Sequence, residues 1–492
     1  MPKARPNSPA RVIADLETII EALDAQGRLV RIKSEVDPRH DLAGIAARFE
    51  GGPRAVLFEK VKGHAHPVFT GLYWSRELLG DLMGKPADSL PHYVLDRIRS
   101  WQKEPVDPVV VKTGPVLEVT EREVDLARLP IPEHALGDGG PYLDVAVVIA
   151  RDPETGVRNA SIHRFQVLGK DKLGMLIDPG RHMELYLAKA AKMQVRLPIT
   201  INIGVGPGLH FAAATPAEAA PADTDELGIA SAFHEAPLQL VAGTTSKVEM
   251  VANAMYALEC ELVPGEVALE GPFAEVTGYY AKQAPRPVVR VKKIHRRKNP
   301  IFHTILSGVE VFNSVGLLGE ANVLNLLRQQ VPGVVDVYFS HGGCGFYHAV
   351  VSLAQKRPGL GKQAMMAAFA AFPPLKMVTV VDDDVDIRDP GDIEWAKTTR
   401  LDPLTGIVLI PKAFGHNLNP GFASGTGTKV GFDCTRPFPF TPEHDRVTFK
   451  TVATEGLDIR VPEIRPEAAP GVTAPTAKGG RGKSGGGPLK AM

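Results

Sequence analysis

Apolar residues at Val12, Ile13, Leu16, Ile19, Ile20 and Leu23 recur at helical spacing, with Ser8 and Pro9 as a start signal and Gly27 as a stop. This predicts one amphipathic opening helix. LVRIKSEV, AVLFEKV and PVFTGLYW then alternate like strands, and SRELLGDLMG and LPHYVLDRIRSWQ carry helical periodicity. Residues 1 to 115 therefore read as a small N-terminal α/β domain. From 116 to 305 strand patterns dominate, in DVAVVIARD, LPITINIGVG, LQLVAGTT and EVALEGPFAEVTGYY, with one helix in HMELYLAKAAKM; this predicts a β-barrel or folded sheet. Residues 306 to 464 alternate helix EANVLNLLRQQV, strand VVDVYFS, strand HAVVSL, helix GKQAMMAAFAAF, strand KMVTVV, helix GDIEWAKTT and strand GIVLI. That order predicts a mainly parallel sheet covered by helices, in a chain of overall class α/β (α+β). Residues 465 to 492 are rich in Pro, Gly and Ala with little to bury, and are expected to be disordered.

One hairpin carries polar groups that a core would not accept. SIHRFQVL reads as a strand, GKDK as a tight turn and LGMLI as the returning strand. At period two, Ser161, His163 and Phe165 share one face while Ile162, Arg164 and Gln166 share the other. Either this second face lies in water, or it meets something that needs a guanidinium and an amide.

Composition narrows the classes of function. The 492 residues hold 56 Lys plus Arg against 56 Asp plus Glu, so no global field favours nucleic acid or an anionic membrane. Cys260, Cys344 and Cys434 are far apart and form no metal-binding spacing, which fits a reducing, cytoplasmic setting. Asp15, Glu17 and Glu21 interrupt the N-terminal apolar positions, so no signal peptide is read, and no apolar run reaches the length of a membrane span.

Three further segments carry candidate chemistry. In LEGPFAEVTGYY, Glu270 and Glu275 bracket a Gly-Pro turn, and two carboxylates crowded into one cavity suit proton transfer. In TPAEAAPADTDELGIASAF, Asp225 and Glu226 enter a helix, where they serve either as capping residues or as ligands. With Asn159 and His182, Glu226 would complete an amide, imidazole and carboxylate set suited to Mn2+ or Mg2+ beside a phosphate. The basic run RPVVRVKKIHRRKNP lacks interleaved aromatics for base stacking and reads as a strand edge meeting solvent or a cofactor phosphate. Within it and just beyond, His295, Arg296 or Arg297, and His303 are candidates to hold a second polar group of a substrate. Asp382, Asp383 and Asp384 end a strand and read as capping and salt-bridging residues.

Taken in order, these motifs resemble the UbiD-type decarboxylases, which use prenylated FMN. The resemblance rests on N-x-x-I-H-R at Asn159 to Arg164, GKDKL followed by P-G-R-H, the DEL of Asp225 to Leu227, EGPFAE, and DDDVDIRDPGDIEWAKTTR, and covers nearly all of the chain before the tail. It implies an N-terminal α/β domain, a central split β-barrel holding the flavin, and a C-terminal α/β domain closing over the substrate. It also implies that Asn159, His182 and Glu226 bind a divalent metal, Mn2+ first and K+ as an additional ion, which bridges the flavin phosphate. Ile162, His163 and Arg164, with Arg181 and His182, would line prenylated FMN. Arg164, Glu270 and Glu275 would form an Arg-Glu-Glu network in which Arg164 orients the substrate carboxylate and Glu275 donates the proton. The implied reaction is reversible, non-oxidative decarboxylation of an aromatic, heteroaromatic or α,β-unsaturated acid, releasing CO2. The implied partners are a separate flavin prenyltransferase and further copies of the chain as a homodimer or higher homo-oligomer.

Members of the ubiquinone pathway carry aspartate where Glu275 stands, so 4-hydroxy-3-polyprenylbenzoate decarboxylation is the secondary reading. An FMN-binding reductase doing hydride transfer is the rival of another class, and would not need the Arg-Glu-Glu set. A flavin-binding subunit without catalysis is a third, and should have lost one of these residues; all are present. Walls of a substrate pocket are expected near Val276, between Asn313 and Leu318, and in HNLNPGFASGTG.

Overall fold

The computed structural model describes residues 9–217, 219–221, 223–422 and 424–447. The expected start signal at Ser8 and the 465–492 tail lie outside these residues. The opening segment forms two helices instead of one, α1 (Pro9–Val12) and α2 (Leu16–Ala25). Asp15 causes the break: its carboxylate accepts the Glu17 and Thr18 amides at 2.9 and 3.3 Å and caps α2, while pairing with Arg297. The break lies against Gly206, where a Cβ would fall 2.1 Å from the Ile13 carbonyl. The apolar periodicity remained correct across it, since Ile13, Leu16, Ile19, Ile20 and Leu23 are all buried.

Then follow β1 (Leu29–Val36), α3 (Asp41–Ala46), β2 (Ala55–Val61), β3 (Val68–Thr70), α4 (Arg76–Met83) and α5 (Leu90–Lys103). Helix α4 has the ends its sequence announces: Ser75 accepts the Leu78 amide at 3.2 Å, and Gly84 takes the left-handed cap at φ 63°. After β4 (Val109–Val111) and β5 (Val119–Thr120), the chain builds β6 (Tyr142–Arg151), β7 (Arg158–Gly169) and β8 (Lys172–Met175). It continues through α6 (His182–Lys192), β9 (Leu197–Ile203), α7 (Pro207–Ala214), α8 (Leu227–His234), β10 (Gln239–Val241), β11 (Met250–Val251) and β12 (Tyr256–Glu270). The short β13 (Phe273–Ala274) and β14 (Tyr280–Ala281) precede β15 (Ala284–Arg296) and β16 (Phe302–His303).

Strands β12, β9, β6, β7, β8 and β15 pair in that order, every pairing antiparallel, and β12 pairs again with β15. This closes a six-stranded barrel and removes its edges. The basic run is therefore not a strand edge: β15 lies between β12 and β8, and four cations of the run are matched by carboxylates. Arg290 pairs with Glu266, Lys292 with Glu261, Arg296 with Glu121, and Arg297 with Asp15 and Glu17. Strand β16 returns to the first sheet, whose order is β1, β2, β3, β16.

The last part contains α9 (Val309–Val311), a π-helical turn at Phe312–Gly316, α10 (Leu317–Gln330), β17 (Val334–Phe339), β18 (His348–Leu353), α11 (Leu360–Ala371), β19 (Met377–Asp382) and α12 (Pro390–Arg400). It ends in β20 (Ile407–Phe414) and β21 (Thr426–Cys434). The parallel core expected here is formed by β18, β19 and β21, with antiparallel β17 and β20 at the edges. Strand β21, TGTKVGFDC, was not read from the sequence, because its glycines and charges mask the alternation. Alternate residues face opposite layers: Ala349, Val351 and Leu353 pack with α10 and α11, whereas Val350 packs with Ile393 and Ala396 of α12. Asp382 and Asp384 pair with Arg400, and Asp382 also with Arg436, in agreement with the salt-bridging reading.

Candidate active site

Strand β7 carries two clusters five residues apart. At its start, the Asn159 amide nitrogen lies 3.1 Å from His182 Nδ1 and donates to Glu226 Oε2 at 2.7 Å, while His182 Nδ1 is 3.3 Å from Glu226 Oε1. Local structure explains the convergence. His182 opens α6, Glu226 immediately precedes α8, and the Ala160 amide of β7 donates to Glu226 Oε2 at 2.9 Å. Neighbouring Asp225 caps Leu227 and pairs with Arg158, so the two adjacent acids have separate tasks.

Among the described residues no three His, Cys, Asp or Glu side chains form a metal-holding group; this trio has two, and its third donor is an amide. Its chemistry nevertheless fits a hard cation. Burial pushes the Glu226 carboxyl above its usual range, and no Lys or Arg pairs with it among the described residues. Asn159 Oδ1 is buried without a hydrogen-bond partner among the described residues, and turning the amide over would bring that oxygen to His182 and Glu226.

Further along β7, Arg164 joins the two glutamates. Its Nε donates to Glu270 Oε1 at 3.1 Å, its Nη1 meets Glu275, and its guanidinium lies 4.7 Å from the centre of the Phe273 ring. Glu270 ends β12 and is fully buried; Glu275 follows β13. The loop between them is clamped from the strand side. Gln166 Oε1 accepts the Gly271 amide at 2.8 Å and its Nε2 donates to the Gly139 carbonyl at 2.6 Å. Asp138 accepts the Ala274 and Ala135 amides at 2.7 and 2.9 Å. The polar face of the hairpin is thus buried and paired, not solvated.

The remaining expected residues have distinct settings. His163 places Nδ1 3.0 Å from the Leu176 carbonyl and Nε2 3.0 Å from Ser161 Oγ, and burial holds its imidazole below the usual range. The returning strand is shorter than expected, ending at Met175, which leaves the Leu176 carbonyl for this contact. Ile162 packs against the core, and Arg181 is exposed immediately before α6. From the expected pocket wall, His416 reaches 3.7 Å from Asp178 on the PGRH turn. Burial raises the Asp178 carboxyl, but hydrogen bonding by His416 and the nearby Arg181 outweigh it and hold it low.

The group proposed for a second substrate substituent does not assemble. His295 is buried between Glu259 and Thr120, at 2.8 and 2.9 Å; Arg296 and Arg297 are paired as described; and His303 sits against Phe69 and Tyr73. Each of these charges is thus spent on structural pairing, with Glu121 or with the opening helix. Sequence reasoning missed Tyr142, Asp138 and Phe273, whose roles arise from contacts between β6 and the Glu275 loop. It also missed Asp144, in the β6 bulge opposite Arg164, whose carboxyl burial pushes up to about 8 and which accepts from Thr304 and Ile305. The irregularity between Leu143 and Ala146 has no sequence signal.

The chain matches three family models of 3-octaprenyl-4-hydroxybenzoate carboxy-lyase: the N-terminal domain over residues 20–98, the Rift-related domain over 108–310 and the C-terminal domain over 313–434. It belongs to the UbiD family, and it is a carboxy-lyase. It is 73% identical over 449 residues to a Rhodospirillum rubrum protein described as "Uncharacterized protein in cooM 5'region", covering 91% of this chain and 97% of that one. Against anhydromevalonate phosphate decarboxylase of Methanothermobacter thermautotrophicus the identity is 36% over 420 residues, 85% of this chain and 96% of the relative. The structure of the UbiD-class enzyme HmfF from Pelotomaculum thermopropionicum with FMN superposes with a TM-score of 0.84 at 39% identity, covering 90% of this chain and 98% of HmfF. An evolved dimeric form of HmfF with prFMN gives 0.80 at 38% identity, covering 89% and 97%. Membership in a carboxy-lyase family replaces the hydride-transfer alternative. Among the described residues no helix is long and apolar enough to cross a membrane.

Proposed function

We propose that this chain catalyses reversible, non-oxidative decarboxylation of an aromatic, heteroaromatic or α,β-unsaturated acid with prenylated FMN. The observation that carries this reading is Arg164, its side chain only 9% exposed, held between Glu270 and Glu275 on the wall of the barrel. Loss of CO2 from an sp2 carbon leaves an electron pair that no side chain delocalises. Prenylated FMN, when bound, supplies the electron sink for that carbanion. Arg164 orients the substrate carboxylate through charge-assisted hydrogen bonds. The carbon–carboxylate bond breaks, CO2 departs, and Glu275 gives its proton to the carbon, forming the new C–H bond. Glu270 remains the ion-pair partner of Arg164. Glutamate at position 275 favours this substrate class over the polyprenylbenzoate of ubiquinone synthesis.

In the same reading Asn159, His182 and Glu226 hold a divalent ion, Mn2+ first, with K+ as an additional ion, beside the flavin phosphate. Ile162, His163 and Arg181 line the flavin. The three-part division near 115 and 305, a separate flavin prenyltransferase and a homo-oligomeric, cytoplasmic enzyme complete the proposal; the three family-model spans and the dimeric HmfF support its architecture.

Protein loaded with prenylated FMN is expected to release CO2 from at least one member of a panel of benzoic, furoic, pyrrole-carboxylic and cinnamic acids. Arg164→Ala should raise KM and lower kcat for that acid. No CO2 release from any acid of the panel would overturn this substrate class. For the ligand trio, Glu226→Ala and His182→Ala are expected to copurify with much less flavin and metal while the fold persists. Wild-type flavin absorbance and metal content in both variants would remove the trio from the cofactor site.

A further inference from the structure

Tyr142 is almost completely buried on β6, directly opposite Gln166 in the barrel ladder. Its ring centre is 4.4 Å from that of Phe273, the ring on which the Arg164 guanidinium also rests. Its hydroxyl lies 3.2 Å from Glu270 Oε1 and 3.3 Å from the Pro272 carbonyl. The hydroxyl has one proton, and the carboxylate is the stronger acceptor. Burial and the Glu270 charge both push the Tyr142 phenol well above its usual range, so it remains a donor.

The consequence lies in the geometry of the Arg164–Glu270 pair. Arginine and carboxylate commonly meet as a two-point fork, each carboxylate oxygen taking one N–H. Here a single oxygen, Glu270 Oε1, receives both Arg164 Nε and the Tyr142 hydroxyl, while Oε2 is buried without a hydrogen-bond partner among the described residues. The contact between Arg164 and Glu270 is therefore made at one point. The Glu270 stem lies over Gly174, where an added Cβ would fall 3.2 Å from its own, so the glycine leaves room for this placement.

We propose that Tyr142 is a positioning residue for the decarboxylation site: by anchoring Glu270 Oε1 it keeps that carboxylate from forming a fork with Arg164, and so leaves guanidinium N–H groups for the substrate carboxylate. The inference rests on the reading of Arg164 as the carboxylate clamp. Without the phenol, Glu270 pivots so that Oε2 reaches the guanidinium, and the enzyme's own carboxylate competes with the substrate's. The residue touches neither substrate nor flavin in this account, and acts only through Glu270.

The test uses FMN-loaded protein titrated with benzoate and followed by the flavin absorbance, together with steady-state kinetics of the prenylated-FMN enzyme on whichever acid it decarboxylates. Tyr142→Phe keeps the ring and is expected to weaken benzoate binding and raise KM by about tenfold, the scale of one hydrogen bond to a charged group. Its kcat should change far less, with flavin content and melting temperature as in the wild type. In a Glu270→Gln background, where the competing anion is gone, adding Tyr142→Phe should leave benzoate binding unchanged. Three results overturn the inference: wild-type KM and benzoate affinity in Tyr142→Phe, loss of flavin or of melting temperature in that variant, or an undiminished effect of Tyr142→Phe when Glu270 is already glutamine. Arg164→Ala separates this failure from failure of the underlying reading. If Arg164→Ala binds benzoate normally, the clamp itself is wrong; if it binds weakly while Tyr142→Phe does not, only the role of Tyr142 falls.

Discussion

Protein produced without a flavin prenyltransferase is expected to fold to the same melting temperature within a few degrees and to release no CO2 from any acid that the loaded enzyme decarboxylates. The first half follows from the structure and the second from the proposed function. The barrel closes through β12 and β15 with its core filled by its own side chains, and the Asn159, His182 and Glu226 cluster satisfies most of its polar atoms internally. Folding therefore does not depend on the cofactor. The proposed reaction does, because in it Arg164 holds a carboxylate and Glu275 gives a proton, but neither delocalises the electron pair that CO2 leaves behind. Thermal melts and CO2 release, compared between protein made with and without the prenyltransferase, check the two halves separately. Full turnover by protein carrying plain FMN would end the prenylated-FMN reading.

Glu275→Gln is expected to bind flavin as the wild type does and to lose about 10²-fold or more in turnover, the scale of general acid catalysis. Glutamine preserves length and an oxygen for Arg164, and Arg164 keeps its Glu270 partner at 3.1 Å, so no buried cation is left unpaired. What disappears is the transferable proton. In deuterated water the wild type should place one deuterium on the carbon that lost CO2. Near-normal turnover by the glutamine variant, with deuterium still incorporated, would transfer the acid role to Glu270, the remaining carboxylate on Arg164.

Much of the architecture was legible because local physics and tertiary packing agree. Ser75 and Gly84 bound α4 in the structure as in the sequence, and Ile13, Leu16, Ile19, Ile20 and Leu23 face the core despite the break between α1 and α2. The break itself was not legible. Asp15 looks like any acid in an amphipathic pattern until Arg297, Val205 and Gly206, hundreds of residues away, define what it touches. Strand β21 was hidden for a related reason, since TGTKVGFDC gains its place by inserting between β19 and β20, and its own pattern is weak.

The candidate site divides in the same way. Residue type and order in Asn159 to Arg164, His182, Glu226, Glu270 and Glu275 supplied the two sets of chemistry, because side-chain donors and acceptors are properties of the residues themselves. Which groups meet was decided by closure of the barrel. It brought β12, β6 and β7 together and joined Glu270 to Arg164 and Tyr142, while packing of the opening helix and β5 against the end of β15 consumed Arg296 and Arg297 in ion pairs that their sequence context does not announce. A chain encodes periodicity over a few residues, and so its helices and strands; a hydrogen bond between Tyr142 and Glu270 needs two segments more than a hundred residues apart to be held within 3.2 Å, and only the packed structure holds them there.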